Sequence, residues 1–204
     1  MVNNDEENEK LFIQLMSKRL LRTFLSIPVP DEITALQDKL KSTIIEKKVR
    51  ISWIKKGNIH LTLKFIGDTP EDEISQITSV IQPIIENTCI MEFQITGTGC
   101  FPKKERPRIL WLGIDGDLSP LQELVTKINE ALDPLGYPKV EKDFIPHLTL
   151  ARIKYPQKVT PDISEFLKYD YDPIKFMSNK IHLMSSELFH KGSVYTILGT
   201  HFLR

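Results

Sequence analysis

The tetrapeptide His-Leu-Thr-Leu occurs twice in this chain, at residues 60–63 and again at residues 147–150. With average residue usage, two chance copies in 204 residues arise in fewer than about one in a thousand sequences. The surrounding pattern is shared as well. A short apolar run at residues 21–27 stops at Pro28 and Pro30, a helical pattern follows with Ile33, Leu36, Leu40 and Ile44 on one side, and residues 59–66 alternate as a strand. An equivalent succession starts at Ile109, with Leu124, Val125, Ile128 and Leu132 as the helical stripe and residues 144–153 as the strand. The chain is therefore constrained to an internal duplication: strand, helix, motif-bearing strand, helix, strand, run twice.

Boundary signals refine this outline. Val49, Ile51 and Trp53 alternate as a half-buried strand. Thr69-Pro70-Glu71-Asp72 predicts a helix start with Thr69 as the cap, and Ser119-Pro120-Leu121-Gln122 predicts a second one as a capping box, with Gly136 as its stop. Gly97-Thr98-Gly99 reads as a turn after a strand at residues 93–95, since it lacks the lysine and spacing of a phosphate-binding loop. After a short helical piece near residues 161–168, two last strands are expected at residues 174–183 and 194–202, with His190-Lys191-Gly192-Ser193 as their turn. The fold class is α/β (α+β) with largely antiparallel sheets. No low-complexity linker divides the halves, so residues 20–204 are expected to form one bilobal domain around a cleft. Residues 1–19 are a partly helical or disordered extension, with Leu11, Phe12, Leu15 and Met16 at roughly helical spacing.

In each motif strand the histidine and the threonine two residues on share one face, and both leucines share the other. Each half thus offers an imidazole and a hydroxyl side by side. Two imidazoles across a cleft suit in-line displacement at phosphorus, one taking a proton from the nucleophile and the other giving one to the leaving oxygen. Their unperturbed pKa of about 6.5 allows both roles near neutrality. Thr62 and Thr149 would hydrogen-bond the non-bridging oxygens. A lone strand histidine is more often structural, and His182, His190 and His201 are read that way. Paired zinc ligation finds no HxH, no HExxH and no acid or thiol at ligand spacing, so no metal or other cofactor is expected.

Lysine plus arginine equal aspartate plus glutamate at 27 each, so no global field gathers nucleic acid and an anionic ligand must be held locally. Lys55, Lys56, Lys103, Lys104, Arg106 and Arg108 are candidates for a phosphate-tracking rim, although such loops are usually only solvated. Trp53, Phe101, Phe144 and Tyr155 are candidates to stack a base, with packing as the default. Cys89 and Cys100 lack redox spacing, residues 1–10 are acidic and polar, and no stretch approaches spanning length, so a cytoplasmic monomer with reduced thiols and no membrane contact is expected.

The segments WIKKGNIHLTLKFIGD and FIPHLTLAR resemble the two signatures of the bacterial and archaeal RNA 2′,3′-cyclic phosphodiesterases. These are the LigT-like 2′-5′ RNA ligases of the 2H phosphoesterase superfamily. RTFLSIPVP, CFP followed by PRILWLGI, and SSELFHKGSVYTIL extend the similarity from about Leu20 to Arg204. The resemblance implies a duplicated bilobal fold, two mostly antiparallel sheets flanking a central groove, and helices outside. It implies His60 and His147 as the catalytic pair, Thr62 and Thr149 as substrate-binding hydroxyls and Arg152 as an added phosphate contact. By strand alternation Arg152 should face away from His147, so a bulge or a strand end must redirect it. The implied partner is RNA or a nucleotide with a 2′,3′-cyclic phosphate end. The rivals are a phosphodiesterase for small nucleotides, such as 2′-5′ oligoadenylates or ADP-ribose cyclic phosphate, and a non-catalytic RNA-binding module.

Overall fold

A computed structural model describes residues 19–44, 49–139, 143–189 and 192–204. Residues 1–18 of the expected extension, and His190 and Lys191 of the expected turn, lie outside the described residues. In chain order the elements are β1 (Leu20–Pro28), α1 (Ile33–Ser42), β2 (Ile51–Trp53), β3 (His60–Pro70), α2 (Ile74–Glu86), β4 (Met91–Phe101), β5 (Ile109–Asp115), α3 (Ser119–Leu132), β6 (His147–Ile153), α4 (Ser164–Lys168), β7 (Ile174–Ser178), β8 (Lys180–Phe189) and β9 (Gly192–Phe202). Every strand pair among them is antiparallel, in the order β7-β4-β5-β6-β3-β1-β8-β9 with β2 beside β6.

The two expected sheets touch at one point. The motif strands β3 and β6 share a single residue pair, Leu61 with Leu148, which joins a five-stranded half (β7, β4, β5, β6 and β2) and a four-stranded half (β3, β1, β8 and β9) into one sheet. The halves exchange strands. β4 belongs by sequence to the first repeat yet pairs with β5 and β7, while β8 and β9 return from the end of the chain to pair with β1.

Leu61, Leu63, Leu148 and Leu150 are buried in one core with Ile77, Ile81 and Ile85 of α2 and Leu121, Leu124 and Ile128 of α3. Full burial of such side chains is worth about 1.5–3 kcal/mol each, so the leucines fix which face of each motif strand turns inward.

Four local readings change. Thr69 caps no helix: it is buried at the end of β3 with its hydroxyl 2.7 Å from that of Thr23, and α2 begins only after a 3₁₀ turn at Glu71–Glu73. Ser119 opens α3 without a capping box, its N–H donating instead to Asp117 Oδ1 at 3.0 Å. Gly97-Thr98-Gly99 is no turn, because β4 runs through it with a bulge at Gly97, whose φ of +63° suits glycine. The expected strand at 174–183 is two strands in different halves, β7 and β8, which part at Asn179. The apolar positions carry that break, passing from Ile174 and Phe176 to Ile181 and Leu183 with a change of phase.

Candidate active site

One residue either side of the Leu61–Leu148 pair, antiparallel register sets His60 across from Thr149 and Thr62 across from His147. The four polar residues of the repeated motif thus surround one junction, with the histidines at opposite corners. In a regular ladder such diagonal neighbours lie about 7–8 Å apart.

Both rings are oriented alike. His60 Nδ1 donates to the carbonyl of Asn58 at 2.8 Å, and His147 Nδ1 donates to that of Ile145 at 2.7 Å, each two residues upstream. A carbonyl only accepts, so the proton sits on Nδ1 and Nε2 is left for chemistry.

A cavity of about 530 Å³ opens at this junction, lined by His60, Thr62, Thr149 and Arg152 together with Arg22, Phe24 and Tyr195. His147 is outside that lining, half-buried against the edge of Phe101 at 5.1 Å and near Trp111 at 6.3 Å. His60 is held by aromatic rings too, stacked on Phe24 at 4.9 Å with Tyr195 edge-on at 5.4 Å.

Of the two routes expected for Arg152, a bulge rather than a strand end brings it to the site. Leu110 pairs with Ala151 and Trp111 with Thr149, so Leu150 is the extra residue and the phase of β6 reverses after it. The first repeat does the same at Leu63, which brings Phe65 to the position equivalent to Arg152. Phe65 is 44% exposed, lines the cavity and lies beneath the Arg22 guanidinium at 5.1 Å.

Electrostatics alter the neutral starting point of the sequence reading. Burial lowers the pKa of both His60 and His147 below 6.5; the backbone acceptors oppose the shift, and the Arg152 charge adds to it in both cases. One guanidinium therefore acts on both rings. Among the described residues no three His, Cys, Asp or Glu side chains gather as a metal-ligand set.

Of the other candidates, Lys56 is paired with Asp38 at 2.8 Å, and Trp53, Phe144 and Tyr155 pack against the core. His182 Nδ1 lies 3.0 Å from the Thr200 hydroxyl, and His201 is buried. Arg22, Phe24, Asn58, Phe65, Ser186, Leu188, Ser193 and Tyr195 line the cavity and were missed as site residues. Only Phe65 had a sequence signal, being three residues after Thr62 as Arg152 is after Thr149.

A duplicated antiparallel sheet with one histidine-threonine pair from each repeat at its junction defines the class, and the chain belongs to the 2′-5′ RNA ligase superfamily, whose family profile matches residues 28–188. It is 29% identical to an RNA 2′,3′-cyclic phosphodiesterase of Aquifex aeolicus over 91% of this chain and 98% of that one. It is 30% identical to another of the same name from Thermotoga maritima, over 87% and 93% of the two chains. A crystal structure of a Thermus thermophilus protein superposes with a TM-score of 0.70 at 26% identity, covering 90% of this chain and 98% of that one. Among the described residues no helix is long and apolar enough to cross a membrane.

Proposed function

We propose that this protein hydrolyses the 2′,3′-cyclic phosphate at the end of an RNA to a 2′-phosphate, using His60 and His147 as an acid/base pair without a metal. The observation that carries the reading is the junction itself: one imidazole and one hydroxyl from each repeat, with Arg152 acting on both rings. The names of its relatives support the substrate class.

Water enters on the His147 side and gives up its proton to Nε2 of that ring as its oxygen bonds to phosphorus. The phosphorus–O3′ bond breaks opposite, and the 3′-oxygen takes a proton from His60. We assign the acid to His60 because the aromatic cavity that would receive the nucleoside surrounds this ring and not His147. Thr62 and Thr149 donate to the non-bridging oxygens, and Arg152 neutralises the charge that builds on them. Phe65, exposed at the cavity, and the Arg22 guanidinium lying over its ring offer planar groups for a base to stack against. With the 5′-hydroxyl of a second RNA end as nucleophile in place of water, the same forward step joins two RNA ends through a 2′-5′ linkage and frees the 3′-hydroxyl, in keeping with the family name.

Residues 20–204 are read as one bilobal unit, and the unpaired Cys89 and Cys100 suit a reducing compartment such as the cytoplasm. The test is incubation with RNA bearing a 2′,3′-cyclic phosphate in the presence of chelator, followed by identification of the product end. His60→Ala and His147→Ala should each lower the rate by about 10² to 10⁴ with the fold retained. A 3′-phosphate product, or a folded variant with native turnover, would sink this mechanism.

A further inference from the structure

Arg152 is the inner end of a cationic strip that leads away from the cavity. Three strand ends meet there. Ile153 N–H donates to the carbonyl of Arg108 at 2.9 Å, and Lys154 N–H donates to that of Arg50 at 3.3 Å, so Arg50 lies across from Lys154 and Arg108 across from Ile153, where β2, β6 and β5 adjoin. Arg152 pairs with Ile109 on one side and Ser52 on the other, and Lys154 follows it on the same face of the strand. Arg106 and Arg108 both lie over the ring of Tyr155, at 5.0 and 5.9 Å from its centre. Tyr155 is itself packed against the core, so the two guanidinium groups have a fixed seat.

All five cationic side chains are exposed, and among the described residues none forms an ion pair with a carboxylate. Glu105, in the same loop, is the acid nearest in sequence. The chain as a whole carries no net charge, so this concentration of one sign is local. Like charges held together repel, and the arrangement is stabilised when an anion bridges them. Arginine suits that role because its planar fork meets phosphate oxygens bidentately.

We propose that Arg50, Arg106, Arg108 and Lys154 bind the sugar-phosphate backbone of the substrate strand upstream of its reacting end, which makes a single-stranded polynucleotide the preferred substrate over a mononucleotide. This rests on the phosphodiesterase reading of the cavity but concerns residues outside it. Phosphates of successive nucleotides lie along the strip, and the terminal cyclic phosphate reaches the junction next to Arg152. Lys56, tied to Asp38, takes no part.

The test compares a nucleoside 2′,3′-cyclic monophosphate with an oligonucleotide of about eight residues ending in the same group. The wild-type protein should show a higher kcat/KM on the oligonucleotide, and the advantage should fall with added salt. Arg106→Glu/Arg108→Glu and Lys154→Glu should lose most of it while turning over the mononucleotide at the native rate. The neutral Arg106→Gln/Arg108→Gln should lie between, which guards against a charge-reversed variant that fails to fold. Removing two phosphate contacts should reduce the slope of log affinity against log salt by about 1.4, read from binding of a labelled oligonucleotide. Equal loss on both substrates, no loss on either, or no wild-type preference for the oligonucleotide would overturn the strip. If neither substrate is turned over, the cavity reading fails, and the salt slope of oligonucleotide binding still decides for or against the strip.

Discussion

Gly99 and Trp111 face each other across β4 and β5, and the indole lies flat over the glycine. A Cβ built at Gly99 overlaps Cζ2 and Cη2 of that ring and comes within 2.5 Å of Cε2. Ordinary carbon contacts are about 3.5–4.0 Å, so in Gly99→Ala the ring must shift by more than roughly 1 Å. Overpacking of this kind costs about 1–3 kcal/mol. For a chain of this length each kcal/mol lowers Tm by about 2–4 °C, so the variant should melt about 2–12 °C below the wild type. The displacement also reaches the site, because Trp111 pairs with Thr149 and adjoins His147 and Phe101. A misplacement near 1 Å can cost about a hundredfold in rate, so kcat should fall by about 10- to 100-fold. Trp111→Phe in the same chain should restore most of both losses, since it removes the overlapping atoms. It also deletes the indole N–H, which is buried without a partner. Calorimetry and initial rates on the four proteins of this cycle give the coupling between the two positions. Native Tm and turnover in Gly99→Ala, or strictly additive losses in the double variant, would refute the steric argument.

Three further outcomes follow from the charges. The pH profile of kcat/KM should peak below pH 6.5, because the reaction needs one protonated and one neutral imidazole and both pKa values are lowered; Arg152→Gln should move the profile upward, and an optimum above 7 in the wild type would contradict this. The native pKa values of His60, His147, His182 and His201 are all depressed, so the unfolded chain binds more protons just below pH 6.5. Stability should therefore fall as pH drops from about 6.5 toward those native values, seen as a decreasing Tm. Lys64 is 3% exposed, with Nζ donating to Asn129 Oδ1 at 2.7 Å and to the carbonyl of Pro138 at 2.9 Å. Lys64→Met leaves those acceptors unpaired and should cost about 1–3 kcal/mol in urea unfolding with little change in kcat; a variant of native stability would show that the acceptors find other donors.

The sequence by itself determined the duplication, the two motif strands, the helices and the inward leucines, because each is written in periods of two or 3.6 residues that a short window contains. The same alternation put histidine and threonine on the outer face of each strand and left a bulge or a strand end to turn Arg152 toward them; the structure has the bulge. Strand partners are set by contacts far apart in the chain, and no local period encodes them. Only the tertiary structure therefore decided that β7 and β8 part company, that β4 crosses to the second half, and that β3 meets β6 through Leu61 and Leu148 alone. Arg22, Asn58 and Tyr195 come to the cavity through those pairings, from positions with no motif of their own. The lowered histidine pKa values are likewise tertiary, since burial and the approach of Arg152 exist only once the halves have joined.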